Sequence, residues 1–190
     1  MDELAPSICA DCVTFPSQIG DNGRIIQVEL YDFPGTASFQ RPSQLFSKFF
    51  HGVLICYGVD DTASLSSVLT VWKPLLDNAL IECPRFVVGL KSDTRPEHPT
   101  VQLSFDPKPE MVTPHRGTMV ANDMRADGWA ECSALHPELV QFVWKEILED
   151  VVSRVDRGEY DLKRLSSARP SLGRGIAAIA ATMRRNGGRL

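Results

Sequence analysis

The 190-residue chain has no apolar run long enough to cross a bilayer, and its first residues, MDELAPS, lack the charged and apolar regions of a signal peptide. It has no excess of positive charge: a formal net charge of -4 gives no bulk attraction to nucleic acid, so none is expected as a partner. A zinc framework is also missing. Cys9 and Cys12 form a CxxC-like pair in CADC, but no second pair or histidine follows at zinc spacing. With Cys56, Cys83 and Cys132 the five cysteines make an odd set, read as reduced thiols of a cytoplasmic protein. No internal repeat is present.

The remaining composition is that of a globular domain, with 43% apolar and 23% charged residues and a length that suits one sizeable core. Charge is unevenly spread, because from Arg157 onward eight Lys or Arg face only Glu159 and Asp161. This basic tail suggests weak contact with an anionic membrane surface, against the plainer reading of a solvated extension. Within it GIAAIAATMRR (175–185) reads as a weakly amphipathic helix for a membrane or a partner.

Strand and helix signals alternate along the chain. ICADCVTF (8–15) and RIIQVELYDF (24–33) flank PSQIGDNG and its Asn22-Gly23 turn signal, which predicts an antiparallel hairpin. PSQLFSKFF (42–50) reads as a short helix, and GVLICYGV (52–59) as a strand buried on both faces. A helix follows, N-capped by Asp61 or Thr62, with Leu65, Val68, Leu69, Trp72 and Leu76 on one face and Pro74 implying a kink or early end. PRFVVGLKSD (84–93) is a second buried strand, and residues 94–109 an irregular excursion. Thr113-Pro114 opens a helix that ends at Gly128. WAECSAL (129–135) is a third strand, and residues 136–158 form the strongest helix, with Leu139, Phe142, Val143, Ile147 and Val151 as its stripe. The pattern predicts an α/β fold with a mostly parallel sheet, helices on both faces, and ligand contacts at the carboxyl ends of the strands.

Three strand-end loops carry chemistry. In DFPG, Asp32 is suited to a water-mediated Mg²⁺ contact, while Phe33 and Pro34 lead to Gly35, where a backbone can approach a phosphate oxygen. The same four residues also make a common turn. In LKSD, comprising Leu90, Lys91, Ser92 and Asp93, the lysine stem can cover a planar base. The carboxylate can accept both donors on the guanine edge, a pairing adenine does not offer. In ECSAL, small neighbours around Ser133, Ala134 and Leu135 let amides approach the guanine carbonyl. Each motif alone is weak, whereas the three in order at successive strand ends support one another.

On these residues the chain resembles the small GTPases of the Rho type over roughly residues 5–155. DFPG stands where that family has Asp-Thr-Ala-Gly, LKSD where it has Thr-Lys-x-Asp, and ECSAL matches its Glu-Cys-Ser-Ala. Residues 50–72 and 112–135 resemble the family's central strand with its helix and the stretch after its characteristic insert. Ser7 in APSIC takes the place of the family's magnesium-coordinating Thr. The resemblance implies a GTPase domain over 5–157 with a basic extension over 158–190. It also implies GTP or GDP with Mg²⁺ held through Ser7 and Asp32, and exchange factors, GTPase-activating proteins and effectors as partners.

Departures from the family pattern bear on activity. The likeness begins at switch I, and no GxxxxGK[ST] occurs in the chain, so the first strand, phosphate loop and first helix of the family have no counterpart at its start. That loop supplies the amides and ammonium that neutralise the phosphates. Thr36 occupies the place of the water-positioning Gln, and the end RNGGRL carries no prenylation Cys. Nucleotide binding and hydrolysis are therefore expected to be impaired. The other expectation is a pseudo-GTPase that works as a non-enzymatic interaction module. In the family sheet the first strand lies between those matching residues 27–32 and 52–59. Its loss is expected to leave two edges that close up, take a partner's strand, or mark an incomplete sequence.

Overall fold

The computed structural model describes residues 11–21, 23–34, 50–78, 83–95, 111–159 and 176–183. The predicted helix over 42–50 lies outside them except for its last residue, as do Ser7, Gly35 and Thr36.

Strand β1 (Asp11–Ile19) and β2 (Arg24–Pro34) form the expected hairpin, with Ile19 opposite Arg24. Gly20 and Gly23 both take positive φ at the turn, where the Gly23 amide donates to the Gly20 carbonyl. β1 runs further than the sequence suggested, through Pro16, which pairs with Gln27. It tolerates the proline because it is the edge strand, where a missing N–H breaks no ladder on the outer side.

β3 (Gly52–Gly58) and β4 (Arg85–Leu90) are the two apolar runs, and β5 (Gly128–Glu131) follows at the far edge. Between β3 and β4, α1 (Thr62–Ser67) is N-capped by Asp61, whose carboxylate accepts from the Ala63 and Ser64 amides. Pro74 does not end this helical segment early. The chain widens through a π turn at Val68–Trp72, in which the Lys73 amide reaches the Val68 carbonyl, and continues as α2 (Lys73–Asn78). A proline has no amide to contribute and its ring crowds the preceding turn; a wider turn accommodates both. α3 (Pro114–Met124) is capped by Thr113 as expected, but stops at Arg125 in the left-handed region rather than at a glycine. There the Ala126 amide bonds back to the Ala121 carbonyl.

α4 (Pro137–Asp156) is the strongest helix, yet its seam is narrower than the sequence stripe. Val143, Ile147, Leu148, Val151 and Val152 are buried, while Leu139 and Phe142 are exposed at 42% and 62%. Alternation in β3 divides the core between the faces. Val53, Ile55 and Tyr57 pack with Leu65, Val68, Trp72, Val87 and Met124 under α1 to α3. Leu54 packs with Val28, Phe86, Val88, Ile147 and Leu148 under α4. Each such aliphatic side chain contributes about 1.5–3 kcal/mol by leaving water.

The largest correction concerns the tail. Residues assigned above to a membrane- or partner-directed helix form a strand, β6 (Ile176–Met183), inside the sheet. The strand order is β1-β2-β6-β3-β4-β5. β6 runs parallel to β2 from Gln27↔Ile176 to Pro34↔Met183, and parallel to β3 from Gly52↔Ile179 to Cys56↔Met183. The gap expected in the middle of the sheet is thus filled neither by closure nor by a partner, but by the far end of the same chain. The physical reason is pairing: two central strands with unsatisfied edges offer ladder hydrogen bonds on both sides of one uncharged segment.

Candidate nucleotide-binding site

All five strands from β2 to β5, β6 included, run in one direction, so their carboxyl ends share one edge of the sheet. Asp32 and Phe33 approach that edge on β2, which Pro34 ends; Leu90 leads into the loop Lys91, Ser92, Asp93 after β4; and Ser133, Ala134 and Leu135 follow β5. Asp32 is exposed and Phe33 is buried against Phe50, ring centroids 5.8 Å apart. From β2 to β4 there are three strand spacings, about 14 Å at ~4.8 Å each, which suits an extended nucleotide with its phosphate end at Asp32.

The loops that follow β4 and β5 are tied together. The Ser133 hydroxyl donates to the Asp93 carboxylate and accepts from the Leu135 amide at 3.0 Å. Ser133 is buried and Asp93 exposed, so the hydroxyl fixes the carboxylate's direction while the carboxylate faces outward. The Ser92 amide donates to the Cys132 carbonyl at 3.2 Å, and the Cys132 amide to the Gly89 carbonyl at 2.8 Å. Ala134 and Leu135 are exposed beside them.

Lys91 sits in the left-handed region with φ of 60°. This turn aims its side chain across the end of β3, where the ammonium meets Asp60 Oδ2 at 2.8 Å. Asp60 Oδ1 is buried without a hydrogen-bond partner. Gly58 makes room for that carboxylate, since a Cβ there would lie 2.6 Å from Oδ1.

A second layer was not singled out in the sequence. The Arg95 guanidinium grips both oxygens of Glu131, one of them Oε1 at 2.6 Å, and donates to the Val112 carbonyl at 2.6 and 2.9 Å. Tyr57 joins it through Glu131 at 3.3 Å and accepts from the Trp129 indole at 3.2 Å. Burial pushes the Tyr57 hydroxyl up to about 12, and the hydrogen bonds to Glu131 hold Arg95 above its usual value. The available signal was a pair of opposite charges, Arg95 two places after Asp93 and Glu131 two before Ser133.

For Mg²⁺, only Asp32 of the expected pair lies among the described residues, where no group of three or more His, Cys, Asp or Glu gathers for a metal. A magnesium ion here would take Asp32, Ser7 and oxygens of the nucleotide itself. The four described cysteines, Cys12, Cys56, Cys83 and Cys132, are free thiols, and burial pushes Cys56 and Cys83 up to about 12. Among the described residues no helix is long and apolar enough to cross a membrane.

A mostly parallel α/β sheet with polar loops gathered at its carboxyl edge is the architecture in which ligands bind at strand ends. Residues 2–153 match the Ras family, and the chain belongs to it. It is 26% identical over 163 residues to the Rho-related GTP-binding protein RhoF of Homo sapiens, covering 86% of this chain and 76% of that one. It is 28% identical over 144 residues to human RhoD, covering 76% and 68%. It is 29% identical over 147 residues to the GTP-binding protein rhoC of Emericella nidulans, covering 77% of this chain and 52% of that relative.

Proposed function

We propose that this chain is a Rho-type guanine-nucleotide-binding signalling protein in which phosphate binding and hydrolysis are weakened. The observation that carries the reading is the Asp93–Ser133 hydrogen bond, which joins the LKSD and ECSAL loops at one sheet edge. Asp93 selects guanine, the Lys91 stem covers the base, and amides of Ser133, Ala134 and Leu135 face its carbonyl oxygen. Asp32 and Ser7 hold Mg²⁺, which screens the phosphate charge when bound. Phe33, Pro34 and Gly35 shape the γ-phosphate turn, and Thr36 stands where a water-positioning side chain is needed but is too short for it. Exchange factors, GTPase-activating proteins and effectors are the partners proposed for this domain over 5–157.

Nucleotide titration by calorimetry tests the reading. Guanine nucleotides should bind in preference to adenine ones, with micromolar or weaker affinity and slow turnover. Equal binding of GDP and ADP overturns it.

A second reading has specific support. No GxxxxGK[ST] occurs in these residues, and those that follow the central strand β6 read RRNGGRL. In this reading the fold is a pseudo-GTPase, an interaction module without chemistry. Undetectable nucleotide binding by a folded chain that still captures effector proteins selects it.

A further inference from the structure

The sheet consists of two halves joined through β6. β1 and β2 carry the Asp32 turn, and β3, β4 and β5 carry Lys91, Asp93 and Ser133. β2 and β3 make no ladder with each other. Residues 27–34 of β2 and 52–56 of β3 form the walls of a slot that β6 fills. β6 is the last described element, and α4 precedes it in the sequence. Among the described residues, its withdrawal therefore breaks the ladders with β2 and β3 and no other pairing.

Apart from each other, the strand and the slot would each expose unpaired backbone groups. Ile176–Met183 reads IAAIAATM, with no charge, proline or glycine to discourage edge pairing. Without β6 the slot would present a row of unpaired backbone groups on both walls. Each is complementary to the other in direction and register, and the sixteen residues 160–175 span at most about 50 Å at ~3.3 Å per residue, enough to reach a neighbouring molecule. Two opened molecules can thus satisfy each other by exchanging the same segment, an arrangement that closes with two-fold symmetry.

We propose that the slot between β2 and β3 is a strand-acceptor site that takes Ile176–Met183 from a second copy of this chain as well as from its own. The product is a reciprocal dimer in which each sheet keeps the order β1-β2-β6-β3-β4-β5, with β6 supplied in trans. A second copy is favoured over a foreign strand because its segment brings the register that both walls already accept.

The register supplies the test. Met183 is the Cα partner of Cys56, and neighbouring strands lie about 4.8 Å apart, within the Cα span of a disulfide. Full-length chains carrying Met183→Cys and Cys12→Ser, in two differently tagged pools, are mixed at high concentration and then oxidised. The expected result is a disulfide between Cys56 and the new thiol that joins the two tags, with about half of all linked dimers carrying both. The dimer fraction should rise with protein concentration, and Cys56→Ser should abolish the link. Should Met183→Cys fold poorly, Leu30→Cys with Ile179→Cys, partners on the other ladder, repeats the test in the Cys12→Ser and Cys56→Ser background. Disulfides formed only within single chains overturn the proposal, as does a dimer whose chains are linked elsewhere. An unrelated apolar peptide that enters the slot as readily as residues 176–183 overturns the choice of a second copy.

Discussion

Asp93 and Ser133 are 40 positions apart in sequence yet share a hydrogen bond, which fixes the direction of the carboxylate. An exposed carboxylate without that anchor would sample several rotamers. Asp93→Asn should move base preference from guanine toward xanthine nucleotides in competition binding, while leaving the melting temperature within a few degrees. An unchanged preference removes Asp93 from base recognition. Beneath it, Arg95 and Glu131 are 21% and 12% exposed, so breaking the pair strands a largely buried charge. Arg95→Ala should cost about 3 kcal/mol in denaturant unfolding, and Glu131→Gln in the same background should add little, because the pair acts as a unit. Full additivity would refute the coupling.

His51 gives the molecule a pH dependence. It is buried, and burial lowers its pKa below the ordinary 6.5. The unfolded chain takes up a proton near 6.5 and the folded chain resists it, so this contribution is complete above that pH and declines as pH falls below it. Melting temperature should fall between pH 7 and 5.5, and His51→Gln should flatten that slope. Equal slopes in both proteins assign the effect to other groups. That the loops holding Asp93 and Ser133 follow strands was legible from the sequence, because an apolar run ending in polar residues is a local pattern. Arg95 with Glu131 was not, because an ion pair has no periodicity and only the fold shows that the two charges meet.

At the scale of elements, capping was readable and packing was not. Asp61 and Thr113 announce their helices by side chains that accept amides one turn ahead. The π turn before Pro74 was unreadable, since a proline in an apolar pattern argues equally for a kink, a stop or a widened turn. The stripe of α4 was over-read at Leu139 and Phe142, because periodicity cannot say how far the sheet beneath extends. Gly117 makes a similar point. A glycine inside a helix usually costs about 1 kcal/mol relative to alanine. Here a Cβ would overlap the Tyr57 hydroxyl and lie 2.8 Å from the Trp129 indole nitrogen. Gly117→Ala should therefore destabilise the protein by about 1–3 kcal/mol in chemical denaturation; a gain in stability would show that Tyr57 and Trp129 yield freely.

The sheet is held together by the last of the described strands, which stands third in the sheet. Ile179 pairs with Leu30 on one side and Gly52 on the other. Ile179→Pro removes an amide and forces a ring into that position, which a central strand does not tolerate. The variant should lose cooperative unfolding, and amide protection should fall in β2 and β3 together. Retained protection in both would mean that the two half-sheets stand without β6.

By itself the sequence determined the class of fold and most of the alternating elements, because burial patterns and caps are written over short stretches. It also showed that no phosphate loop with Lys-Ser/Thr lies within these residues. What only the tertiary structure decided is how the middle of the sheet is completed. An eight-residue run of Ile, Ala, Thr and Met suits a weak helix as well as a strand, and nothing within it distinguishes them. The choice is made by β2 and β3, whose unpaired backbone edges make a strand the conformation that satisfies the most hydrogen bonds.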